Sequence, residues 1–381
     1  MAEVSYARGL AGVIADESKI CVIDGVKGEL YYMGYPIQEL AEKSNFTEAS
    51  YLLIYGKLPS KTQLENFRAE LTKNREIPKF IEETIKKFPK KTHPMTALQT
   101  CVAMLGMEDI PSEKDSRETN QKRSVKLIAQ FPTLVAYFAR HREGKDIVKP
   151  NSDLCHAANF LYMLNGEAPT DEIAKMFDTC LLLHAEHTFN ASTFTGRVVA
   201  ATLADLYTSV SAATGALFGP LHGGANEKAL EMAKSIGSVD NVDKWFDEAM
   251  ASKTKIMGMG HRVYKTIDPR AKILKGLLLD LSKKAGNTNQ LEVLDKLAEK
   301  MAEKVKAEGK EIWPNVDYFS GTLYELMGID SIYFTPIFAV ARVAGWSAHI
   351  LELWTDNKLY RPKCLYTGDI DLKYVDIADR A

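Results

Sequence analysis

The chain has 381 residues, too many for one ordinary domain, so two or three domains are expected. Hydrophobic residues make up 46% and charged residues 26%, a globular composition with ample material for a core. With 48 Lys and Arg against 50 Asp and Glu, the net charge of -2 excludes a broad basic surface for nucleic acid. No run of sequence approaches the roughly 20 apolar residues that cross a bilayer, so no membrane partner is expected. The segment from Met1 to Gly12 lacks an apolar signal core, and the five cysteines are scattered, odd in number and without a CxxC pair. The expectation is a cytoplasmic, enzyme-sized protein with reduced thiols.

In chain order, Lys19–Gly25 and Glu29–Gly34 are short β-rich runs bounded by glycine, enough for one or two hairpins. From Gln38 the hydrophobic period becomes helical, with Leu40, Phe67 and Leu71 in helical stretches separated by Pro59, Pro78, Pro89, Pro94 and Pro111. Asp109–Lys122 is polar and reads as a loop or the polar start of a helix. Thr170 can cap a helix with Asp171 and Glu172 in its first turn, placing Ile173, Phe177, Cys180, His184 and His187 on one stripe. Histidines three apart on a helix could bind a metal, but on an apolar stripe they read more simply as core residues with backbone partners. Val198–Leu217 is dense in Ala, Thr and Ser and reads as one helix, ending at Gly219-Pro220 and packed between helices or subunits.

In GPLHGGAN from Gly219, Gly-Pro stops that helix and two glycines free the backbone. Asn226 then caps a helix with Ala229, Leu230 and Ala233 inward and Gly237 as its stop. His222, just ahead of a helix N-terminus, is expected to be a neutral hydrogen-bond donor, the alternative being a turn residue in solvent. In Lys255–Lys265, two glycines alternate with methionines before His261, with Lys253, Lys255, Arg262 and Lys265 nearby. Such a loop offers backbone groups to a flat ligand and cations to phosphates; it is neither GxGxxG nor a P-loop. Asp268, Pro269 and Arg270 read as N-cap, first helical residue and first-turn arginine. An arginine there opposes the helix dipole, which hints at an anion. Leu291, Leu294, Ala298, Met301 and Val305 mark a solvated amphipathic helix too short for a coiled coil. Asp317, after Pro314-Asn315, is a helix N-cap or a base whose proton affinity is raised by desolvation. Without strand–helix alternation a doubly wound sheet is excluded, and the chain is expected to be almost wholly helical.

Together these segments resemble the citrate synthase family. The matching stretches are HAEHTFNAST from His184, GPLHGGAN from Gly219, KIMGMGHRVYKTIDPR from Lys255, PNVDYFSG from Pro314, FTPIFAVARVAGWSAHILE from Phe334 and RPKCLYTG from Arg361. Arg8–Gly12 and Gly34-Tyr35 are similar to the shorter bacterial and archaeal members. The resemblance implies an all-α, two-domain fold with a small N-terminal β-hairpin element. Residues 1–222 and 328–381 would form a large, dimer-forming domain and residues 223–327 a small one. It implies His222, His261 and Asp317 as catalytic residues, and His187, Arg270, Arg342 and Arg361 as oxaloacetate ligands. Arg361 would enter the partner's site, implying a homodimer. Lys255, Ile256, Met257, Gly258 and Met259 would meet coenzyme A, with Lys265 and Lys310 on its phosphates. The activity implied is condensation of acetyl-CoA with oxaloacetate, the thioester being a substrate, with no cofactor and no metal. A 2-methylcitrate synthase using propionyl-CoA shares every motif, because one methylene discriminates by only about 1–3 kcal/mol. A hydrolytic metal site would leave the arginines and glycines without a role. A non-catalytic acyl-CoA sensor would not need the full catalytic set.

Overall fold

The computed structural model describes residues 6–110, 116–307, 309 and 311–380. Strands β1 (Cys21–Asp24), β2 (Glu29–Tyr32) and β3 (Tyr35–Pro36) form an antiparallel sheet, with Cys21 opposite Tyr32 and Asp24 opposite Glu29. The expected hairpin is present, and β3 is a third, two-residue strand beyond it. Asp24 closes the turn by accepting from the backbone N–H groups of Val26 and Lys27 at 3.0 and 2.9 Å. That turn packs on the chain after His261. A Cβ at Gly25 would lie 2.2 Å from Val263 O, and Lys265 N donates to Gly25 O at 2.7 Å.

Sixteen α-helices occupy most of the described chain. At the centre runs Phe334–Leu353, buried at every position but Glu352. Around it pack Arg117–Glu143, Ala191–Ala200, Leu206–Leu217, Phe46–Tyr55 and Asp171–His184. With the turn before it, Ser331–Leu353 is long and apolar enough to span a bilayer, contrary to the sequence reading, but its apolar stretch is buried inside the protein. A second set of helices packs together: Pro269–Lys284 and Ala225–Ile236 lie on Val316–Leu326, and Asn289–Ala307 covers Val242–Ala251. Leu291, Leu294 and Val305 are buried on Asn289–Ala307, as its pattern predicts.

Local chemistry fixes the helix ends, and four differ from expectation. Thr170 caps Asp171–His184 as read, accepting from Ile173 N, but the helix stops at His184. His187 therefore lies in the loop beyond and does not share a helix face with His184. The small-residue stretch is two helices, Ala191–Ala200 and Leu206–Leu217, because Asp205 caps the second by accepting from Thr208 N at 2.9 Å. The small residues still act as expected: a Cβ at Gly196 would sit 3.3 Å from Ala213 Cβ, so the two helices approach closely. Asn226 is not a cap; it lies fully buried inside Ala225–Ile236, preceded by Gly224. Asp317 is not a cap either, since Asn315 takes that place and accepts from Asp317 N at 2.9 Å. The polar Asp109–Lys122 stretch leads into a helix that starts within it at Arg117, capped by Ser116, and residues 111–115 of that stretch lie outside the described residues.

Candidate active site

Three loops bring the expected residues together. The first holds His222 in the turn between Leu206–Leu217 and Ala225–Ile236. His222 N donates to Gly219 O and Gly223 N to Leu217 O, an approach only glycine permits, because a Cβ there would lie 2.4 Å from that carbonyl. Ser192 N donates to His222 Nε2 at 3.2 Å, and Ser192 Oγ lies 2.8 Å from the same nitrogen. A ring nitrogen that accepts a backbone N–H carries no proton, so the neutral ring bears its proton on Nδ1. Trp346 Nε1 donates to Ser192 Oγ at 3.1 Å and holds the support in place. Burial, with the charge of Arg342 second, pushes the His222 pKa down to about 4. The ring is neutral as expected, though burial is the leading cause.

The second loop places His261. Its Nδ1 accepts from Val263 N at 3.0 Å and Tyr264 N at 3.3 Å, so here the proton is on Nε2. Burial and then Arg270 lower its pKa to about 4. The third loop places Asp317, and it is stitched to the second. Met259 pairs with Pro314, Gly260 N donates to Trp313 O, and Asn315 N donates to Gly258 O. Asn315 Nδ2 also donates to Gly260 O at 2.8 Å while its Oδ1 caps the Asp317 helix. One asparagine thus registers His261 against Asp317. Gly258 is held at φ 74, where a Cβ would strike Tyr318 Cα at 2.7 Å. Asp317 Oδ1 is sealed from solvent without a hydrogen-bond partner among the described residues. Burial raises the carboxyl pKa to about 7, against the opposing pull of Arg270 and Arg342.

Around these groups lie the expected anion ligands. The His187 ring meets that of His261 edge-on at 5.1 Å, and its Nε2 is 3.3 Å from the Tyr264 hydroxyl. Burial, then Arg270, holds it neutral. Arg270 is clasped by Asp268, which accepts from Nε at 3.1 Å and Nη2 at 2.7 Å, so the anion hinted at by its position is in part its own N-cap. Arg342 donates through Nε to His184 O at 2.7 Å and lies over the Phe338 ring at 4.7 Å. His187 lies within electrostatic reach of Arg270, Arg342 and the rings of His222 and His261, and Asp317 within reach of Arg270 and Arg342. Six of the predicted residues therefore converge.

Arg361 does not join them. It is exposed on an extended C-terminal segment, where Nη1 donates to Pro362 O. In the Lys255–Met259 loop the side chains of Ile256 and Met259 are buried, Met257 is half-buried, and Lys255 is exposed, as is Lys265 further on. Lys310 lies outside the described residues. His184 is a core residue, its Nδ1 donating to Cys180 O at 2.7 Å. Among the described residues no group of three or more His, Cys, Asp or Glu is placed to hold a metal. A cavity of about 550 Å3 lined by Tyr51, Tyr55, Phe67, Lys122 and Lys126 contains none of the predicted residues. Sequence reasoning missed Ser192, Tyr264 and Asn315. Only Asn315 left a signal, as the capping residue type after Pro314.

The chain matches the family model for the citrate synthase C-terminal domain over residues 9–363. It is 47% identical over 376 residues to a citrate synthase of Deinococcus radiodurans, covering 99% of each chain. It is 39% identical over 361 residues to a 2-methylcitrate synthase of Mycobacterium tuberculosis, covering 95% of this chain and 90% of that protein. A solved citrate synthase from Thermoplasma acidophilum, in ternary complex with carboxymethyl coenzyme A and oxaloacetate, superposes with a TM-score of 0.93 at 34% identity. That match covers 99% of this chain and all of the other.

Proposed function

This chain belongs to the citrate synthase family, and from that premise we propose that it condenses acetyl-CoA with oxaloacetate and water to give citrate and free CoA. The methyl group of a thioester is a weak acid, so a base succeeds only if the enolate is stabilised as it forms. Asp317 is the base: a carboxylate whose Oδ1 has no hydrogen-bond partner among the described residues, with a pKa of about 7, is a stronger proton acceptor than an ordinary aspartate. His222 donates its Nδ1–H to the thioester oxygen, and the enol carbon attacks the ketone of oxaloacetate. His261 donates its Nε2–H to the ketone oxygen as negative charge develops there. Water then cleaves the citryl thioester.

His187, Arg270, Arg342 and the partner's copy of Arg361 hold the two carboxylates, for which guanidinium forks are suited. Homodimerisation follows from that shared site. The backbone of the Lys255–Met259 loop receives the adenine, with Lys265 and Lys310 on the phosphates. His187, Arg342 and the support of His222 lie in residues 1–222 and 328–381, whereas His261, Arg270 and Asp317 lie in residues 223–327. Closure of two such domains would complete the site and exclude water until condensation.

The observation that carries this reading is the pair of oppositely fixed tautomers. Backbone N–H groups occupy Nε2 of His222 and Nδ1 of His261, leaving each ring one N–H to donate. The test is thiol release from acetyl-CoA and, separately, propionyl-CoA on addition of oxaloacetate. Faster turnover of acetyl-CoA is expected. Preference for propionyl-CoA would assign the 2-methylcitrate activity named for the mycobacterial relative, and no release with either would refute both.

A further inference from the structure

The HAEH segment contains a buried acid that this chemistry leaves unused. Glu186 is fully buried; its Oε1 accepts from His349 Nε2 at 2.8 Å and its Oε2 has no hydrogen-bond partner among the described residues. The carboxylate lies directly over Gly345, where a Cβ would come 2.2 Å from Oε2. Gly345 falls three residues after Arg342 and four before His349, so all three share one face of Phe334–Leu353. The chain around Glu186 is tied down as well. Tyr32 donates to Glu186 O at 2.9 Å, and Arg342 Nε donates to His184 O.

The two site arginines are balanced in different ways. Arg270 is clasped along one edge by Asp268, which occupies part of its fork. Arg342 uses only Nε, on a neutral carbonyl, and makes no ion pair among the described residues. A buried guanidinium without a contact anion still needs negative charge nearby. Burial pulls the Arg342 pKa down to about 10, and Glu186 leads the charges that oppose this.

We infer that Glu186 is a positioning residue that sets the field of the dicarboxylate pocket. Held back by His349 and accommodated by Gly345, it balances Arg342 without occupying the fork that receives a substrate carboxylate. The inference rests on the reading of Arg342 as an oxaloacetate ligand. A resident anion near the pocket also repels the incoming dianion, so it weakens binding and speeds release.

The test is Glu186→Gln in the full chain, which keeps the size and can still accept from His349. The KM for oxaloacetate should fall by about threefold or more, with kcat within about twofold of wild type. The inhibition constant of malate, a dicarboxylate that cannot be condensed, should fall in parallel, while the KM for acetyl-CoA stays unchanged. Glu186→Asp, which keeps the charge, should restore the wild-type KM. Should the Gln variant fail to fold, Glu186→Met with His349→Phe removes both partners and leaves neither unpaired, and the same fall is expected. An oxaloacetate KM at or above the wild-type value in the charge-free variants overturns the inference, as does an Asp variant that behaves like Gln. Wild-type enzyme assayed in parallel separates the two claims: without thiol release or malate binding there, the functional reading itself has failed.

Discussion

Replacing Asp317 by Asn should abolish condensation and at the same time stabilise the protein, because the wild type holds a carboxyl in a place that disfavours its charge. Its pKa rises from 3.8 to about 7. About three pK units at 1.36 kcal/mol each give about 4 kcal/mol, or about 2 kcal/mol after allowance for the residue's partial exposure. The folded-state pKa lies above the unfolded one, which fixes the sign. Below pH 3.8 both states hold the proton and the penalty is absent; it grows as pH rises and is complete above about pH 7. A chain of 381 residues unfolds with an entropy of roughly 0.8 kcal/mol/K, so Asp317→Asn should raise Tm by about 2–3 °C at pH 8. The gain at pH 8 should be about three times that at pH 5. Thermal melts of both proteins across that range, with malate binding as a check that the pocket is intact, are the assay. A Tm difference that does not change with pH, or a loss of stability at pH 8, would refute the reasoning.

Arg361→Ala should cripple oxaloacetate binding, although the residue is remote from the cluster in its own chain. Mixing inactive Arg361→Ala and Asp317→Asn dimers under subunit exchange should restore about a quarter of wild-type activity, since a hybrid carries both lesions in one site and none in the other; no recovery would contradict the shared site. The kcat/KM for acetyl-CoA should fall about tenfold per pH unit below about 7 as Asp317 takes up its proton, and His222 and His261, neutral down to about 4, should add no second acid limb above that value. A profile flat from pH 7 to 5 would remove Asp317 as the base. Gly258→Ala, forcing a Cβ against Tyr318, should raise the KM for acetyl-CoA more than that for oxaloacetate in steady-state assays. Prolonged treatment with a chelator should leave turnover unchanged, and loss reversed by added metal would revive the hydrolytic metal reading.

What the sequence revealed was local. Thr170 and Asp268 could be read as caps because a cap acts within three residues, and the hairpin because its turn glycines and β-rich runs are adjacent. The residues that gather in the candidate site, His187, His222, His261, Arg270, Asp317 and Arg342, were legible as short motifs in a shared order. What was lost depends on distant partners or on competition between neighbours. His187 continues an apolar stripe, yet the helix ends at His184 and the chain turns to bring it to Tyr264, 77 residues away. Asn315 displaced Asp317 from the cap, since both are capping residue types and only the fold decides which is used. The neutrality of His222 was anticipated but not its tautomer, which is set by Ser192, 30 residues earlier in the chain. The Glu186–His349 pair spans 163 residues and has no local signature at all.

The central claim is that Asp317 removes the methyl proton of the thioester inside a pocket filled by a dicarboxylate. Deuterium entry into the methyl group of acetyl-CoA, followed by mass spectrometry in heavy water with malate bound in place of oxaloacetate, tests this step alone. The account predicts exchange by the wild type and none above the solvent background with Asp317→Asn. Exchange at the wild-type rate by that variant would contradict it.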